Sequence, residues 1–85
     1  MAEPVVSRAD LMAYCRVDTD EGGDQLMALQ SAAIDYLKVA GADHPDRPAY
    51  ALAVKALVLH WYDHPDGGEA FSGGLRAVIN QLKFS

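Results

Sequence analysis

From Ala49 to Tyr62 the chain reads Ala-Tyr-Ala-Leu-Ala-Val-Lys-Ala-Leu-Val-Leu-His-Trp-Tyr, and only Lys55 and His60 fall outside the hydrophobic set. Pro48 stands at its start, and the turn-forming His64-Pro65-Asp66-Gly67-Gly68 follows it. A run this rich in Ala and Leu, with little β-alternation, is expected to be helical and apolar on every side. A surface helix needs only one apolar stripe; one that is apolar all round must be surrounded by protein or lipid. The run is shorter than the roughly 20 residues that cross a bilayer. A chain of 85 residues has difficulty enclosing such a helix alone, because small domains leave much of their surface exposed. The sequence therefore implies assembly, with another copy of the chain or with a different protein.

Length bounds the rest: one domain spanning residues 1–85 is expected. Hydrophobic residues make up 51% and charged residues 22%, which excludes a disordered chain. The formal net charge of -5 argues against grasping nucleic acid, since neutralising phosphates takes a surplus of Lys and Arg. Cys15 is the single cysteine, so no intrachain disulfide can form, and a reducing compartment is expected. Met1-Ala2-Glu3-Pro4 is acidic and no long apolar run follows, so no signal peptide is expected. The expectation is a soluble chain that starts in a cytoplasm, with no membrane partner.

Local signals divide the chain into four helices: short, long, long, short. Ser7 can cap a first helix over about Arg8 to Cys15, with Asp10 at N3 and Val6 stapling onto Leu11. A second helix is expected from about Asp20, with Glu21 and Asp24 favourable near its positive end. Gly22 and Gly23 are expected to weaken that first turn. Leu26, Leu29, Ala33, Leu37 and Ala40 then form an amphipathic stripe, widened by Met27 and Ile34. Gly41 closes the helix in a left-handed conformation. Asp43-His44-Pro45-Asp46 makes the next turn, with Asp46 as expected N-cap of the apolar third helix. A breaker-rich loop over residues 63–74 follows, with the 66–74 segment expected to order on assembly. Leu75, Val78, Ile79 and Leu82 mark a short fourth helix. Nothing reads as a strand. The expected fold is all-α, a small four-helix domain with the third helix central and a core led by Leu26, Leu29, Leu37, Val54, Leu57, Val58 and Trp61. Asp-His-Pro-Asp occurs at both 43–46 and 63–66, but the flanks share nothing, so the repeat reads as two helix-ending turns.

Chemistry finds little support. His60 and His64 are spaced i, i+4 with Asp63 beside them, a pattern that can hold a metal on one helical face. No Glu follows His60 as a metalloprotease helix requires, and Pro65 is expected to end the helix and separate the pair. Cys15 lacks a nearby His and a helix N-terminus. The Gly67-Gly68 and Gly73-Gly74 pairs lack the Lys and Ser/Thr of a phosphate loop. Tyr14, Tyr36, Tyr50, Trp61 and Tyr62 suit core or half-wet interface positions. No nucleophile, base and oxyanion donor come together, so the reading is a non-enzyme without metal or cofactor. Leu52, Leu59, Trp61, Tyr62 and Phe71 are the expected protein-interface residues.

Two resemblances bear on function. His44-Pro45-Asp46 between two helices, after Tyr36-Leu37-Lys38, resembles the J-domain co-chaperones, which dock a loop and a basic helix on an acidic chaperone surface. Here Lys38 is the only cation of the preceding helix, against Asp24 and Asp35, so the electrostatic half of that mechanism is missing. The pattern as a whole resembles the small head–tail connector (adaptor) proteins of tailed bacteriophages. Asp10 to Asp18 is similar to the opening helix and turn of that family, and Asp24 to Leu37 to its long second helix. Ala53 to Tyr62 resembles its apolar third helix, and Gly74 to Ile79 its closing helix. His64 and Pro65 stand where relatives often carry a basic residue, and Cys15 where they carry Leu. The resemblance implies a virion protein at the head–tail junction, assembled in the host cytoplasm. It implies a ring of copies, usually twelve, between the portal protein and a tail-side completion protein, through which DNA passes without specific binding. An acidic wall that does not hold phosphate is compatible with such a channel.

Overall fold

Ser7 begins the first helix as its spacing requires: the hydroxyl accepts from the Asp10 N–H at 3.1 Å. The computed structural model describes residues 6–64 and 73–84, and among them the chain forms four helices and no strand. The first, α1 (Arg8–Cys15), ends at Arg16, which takes the left-handed conformation (φ 58°). The Val17 N–H returns to the Met12 carbonyl at 2.9 Å, satisfying an otherwise orphaned acceptor. Val6, just outside the cap, and Leu11 are both buried in the same cluster, the arrangement of a hydrophobic staple.

The second helix, α2 (Asp20–Val39), is capped by Thr19, whose hydroxyl accepts from the Gly22 N–H at 3.1 Å. Its end is a Schellman closure around Gly41 at φ 83°. Ala42 N–H reaches the Leu37 carbonyl at 2.8 Å, and Gly41 N–H reaches that of Lys38 at 3.2 Å. Both groups are the ones this motif must satisfy. The first turn departs from expectation. Gly22 and Gly23 are buried, because the chain turning out of α1 lies directly over them. A Cβ on Gly22 would collide with Val17 and stand 2.9 Å from the Thr19 hydroxyl. Gly22 is a packing requirement for the turn out of α1, whereas a Cβ on Gly23 would meet only the far ends of the Arg8 and Met12 side chains.

The third helix, α3 (Pro48–Asp63), opens with Pro48 in its first turn and Arg47 as its N-cap, without a side-chain cap bond. Asp46 is thus one residue too early to cap it. Pro48, the first helical residue, has no N–H to leave orphaned there. The fourth helix, α4 (Gly73–Lys83), starts two residues before Leu75. Residues 65–72, with Phe71 and most of the expected assembly-ordering segment, lie outside the described residues.

α3 packs on α2, on α4 and on α1, and α1 packs on α2. It is the central element, and Tyr50, Ala53, Val54, Leu57 and Val58 are its buried residues. Leu11, Leu26, Leu37 and Leu82 close around them. Leu29 and Trp61 are only partly buried and flank this core. Gln30 is the buried polar residue, 1% exposed. Its Oε1 accepts from the Val6 N–H at 2.8 Å, and its Nε2 donates to the Val6 carbonyl at 3.0 Å. Gln30 so ties the chain ahead of α1 to the middle of α2.

Candidate functional site

α3 continues through Asp63, and His64 caps it with its N–H on the His60 carbonyl at 2.9 Å. The two imidazoles therefore do share a side, with ring centroids 5.0 Å apart, contrary to the sequence expectation that Pro65 separates them. They border a hollow of about 260 Å³ with Tyr14, Leu59 and Asp63. Among the described residues no group of three or more His, Cys, Asp or Glu side chains is placed to hold a metal. Cys15 is half-buried. Burial, and then the charge of Asp63, push its thiol pKa upward. A raised pKa leaves little thiolate at neutral pH, the opposite of what a nucleophile needs.

Apolar surface is the feature that remains. A groove of about 280 Å³ runs between α3 and α4, lined by Leu52, Ala53, Ala56, Gly74, Leu75 and Val78. Leu52 is 47% exposed at its rim. Leu59 is half-buried and borders the neighbouring hollow. Residues seven apart on a helix stand within about 20° of each other, so Leu52 and Leu59 form one stripe on the α4 side of α3. Trp61 is about 200° round from Leu59 and lies on the α2 side. There it meets Tyr36 edge-on, ring centroids 5.9 Å apart at 82°. Both rings keep solvent contact, Tyr36 at 39% exposed. Tyr62 is half-buried and reaches the start of α2, its hydroxyl 3.8 Å from where a Gly22 Cβ would lie.

The expected interface residues thus divide between two sides of α3. Leu52 faces the groove completed by α4, and Leu59 borders the neighbouring hollow. Trp61 and Tyr62 cover the flank against α2, and Phe71 lies outside the described residues. The sequence reading missed the groove formers Ala56, Gly74 and Val78. Ala56 lies four residues from Leu52 and Val78 three from Leu75, spacings that share a helical face. The pairing of those two faces is a tertiary fact that periodicity alone does not carry. Tyr14 adds to the exposed aromatic surface at 39%, with Lys55 Nζ over its ring at 5.6 Å.

No helix among the described residues is long and apolar enough to cross a membrane. Compared with models of protein families, with curated proteins and with solved structures, the chain has no match.

Proposed function

We propose that the chain is a structural adaptor of a tailed-phage particle: a ring of copies beneath the portal that extends the DNA channel and offers the tail a docking surface. The observation that carries this reading is the incompletely covered central helix. On α3, Leu52 is exposed and Leu59, Trp61 and Tyr62 are half-buried, on two different sides of one 16-residue helix. A monomer gains nothing from leaving apolar surface on both flanks of its core helix. A subunit with neighbours on two sides covers both. The ordered likeness of residues 8–82 to connector proteins supplies the particular assembly, and the net charge of -5 suits a conduit that does not hold DNA. The acidic outer face of α2 suits the J-domain reading poorly, because that mechanism needs a basic helix there.

Isolated protein need not be a ring. A stable interface buries about 1,200–2,000 Å² in total, and a portal template adds binding energy that a dilute subunit lacks. The proposal requires a portal gene in the same genome, and the test is made with that portal ring. Native mass measurement of the mixture is expected to show a portal ring carrying several copies of the chain. Leu52→Glu, a change at an exposed position, is expected to abolish loading while leaving the thermal melt unchanged. A portal ring that takes up no copies at saturating concentration contradicts the proposal.

A further inference from the structure

The adaptor reading places neighbours against the flanks of α3 and leaves open what the outward faces of α2 and α4 meet. The residues on those faces supply an answer. α3 packs against both α2 and α4, and each of those two helices keeps an exposed face of its own. On α2 the residues Glu21, Ala28, Ala32, Asp35 and Val39 are all exposed. Together with Gln25 they follow alternating four- and three-residue steps, the spacing of a seam that receives another helix. Val39 is 82% exposed at its end, and its middle is two alanines, which allow a partner backbone to come close. Its charges, Glu21 and Asp35, are negative.

α4 is the reverse. Its outward residues include Arg76, Asn80 and Lys83, all exposed, with Phe84 just beyond the helix at 87% exposed. The helix contains no acidic residue. Among the described residues the ion pairs are those of Arg8 with Asp20 and Asp24, and neither face pairs its charges with another described residue. Residues 6–46 carry Arg8, Arg16 and Lys38 against eight acidic residues, whereas residues 73–84 carry Arg76 and Lys83 against none.

We infer that the outward face of α4 of one copy docks on the outward face of α2 of the next, with Arg76 and Lys83 set against Glu21 and Asp35 and with Phe84 and Val39 supplying apolar contact. Because donor and acceptor faces are different, the contact is head-to-tail. Repetition of a head-to-tail contact closes into a ring when the rotation permits. This inference rests on the adaptor reading for its biological setting. Its geometry and charge stand independently of it.

The experiment is sedimentation velocity of the full chain at high concentration in low and high salt, with charge swaps. Opposite charges at the rim of a contact are screened by salt, so wild-type association should fall as salt rises. Glu21→Lys with Asp35→Lys, or Arg76→Glu with Lys83→Glu, should each weaken association at least tenfold, and all four changes in one chain should restore it. All four positions are exposed, and unchanged thermal melts confirm that folding is intact. In a Cys15→Ala background, Ala28→Cys with Asn80→Cys in one chain should oxidise to a covalent ladder, while a mixture of the two single variants should stop at dimers. Association indifferent to the swaps, or a monomer at every concentration in low salt, overturns this contact and leaves the adaptor role standing. The adaptor role fails by a different result, normal virions from a strain that lacks the gene.

Discussion

Gln30 shows how much one side chain can decide. It sits in the middle of α2 on the face of Leu26, Ala33 and Leu37, is 1% exposed and bonds both backbone groups of Val6. Removing the amide leaves a buried N–H and C=O without partners, a loss of about 1–3 kcal/mol. Gln30→Ala is therefore expected to lower stability by about that amount or more in urea denaturation, and to release the segment ahead of α1 to rapid amide exchange. Leu57, fully buried on α3, is expected to cost about 2–5 kcal/mol when cut to Ala, by lost burial and the cavity left behind. Titration behaviour belongs to this scale as well. Burial, then Asp43, raises the Tyr50 pKa above its ordinary value of 10.0, and burial, then Asp63, raises Cys15 above 9.0. Each group holds its proton more tightly folded than unfolded. Its stabilising contribution is complete below the ordinary value and is lost as pH rises through the raised one. Chemical denaturation across pH 8 to 11 should show stability level at first and falling from about pH 9 upward. A rise over that range contradicts the assignment.

Among the elements, α1, the end of α2 and the start of α3 were legible because their punctuation is local. Ser7 with Asp10, Gly41, and Pro48 each act within one turn of their own position. The core stripes of α2 and α4 were legible for the same reason, since a period of 3.6 needs no knowledge of the partner. What could not be read is what comes from elsewhere in the chain. Gly22 and Gly23 look like helix weakeners by propensity, and they are buried because α1 and Val17 press on them. Likewise the shared side of His60 and His64 depends on α3 running to its last residue before Pro65. The division of Leu52 and Leu59 from Trp61 and Tyr62 depends on where α2 and α4 sit. Gly22 and Gly23 give a paired prediction. Ala favours helix over Gly by about 1 kcal/mol, but Gly22→Ala must displace the stiff Val17 side chain and the capping Thr19, so a net loss in melting temperature is expected. A Cβ on Gly23 meets the far ends of the Arg8 and Met12 side chains, which can move, so Gly23→Ala should be neutral or stabilising. Equal loss at both positions contradicts this packing argument.

For the whole molecule, the account turns on an 85-residue chain whose central helix stays half-covered on two flanks. An all-α fold of four helices follows from the sequence pattern and from the packing of α3 between α2 and α4. The proposed adaptor role rests on the uncovered surface together with the connector-like order of segments, and it makes a demand on the particle itself. The most direct measurement is electron microscopy of particles from a phage in which this gene is cleanly deleted, with complementation by the wild-type chain. The account predicts DNA-packaged heads that leak their DNA or fail to join tails, restored by the wild-type chain and not by Leu52→Glu. Normal, infectious, fully tailed virions from the deletion strain contradict it.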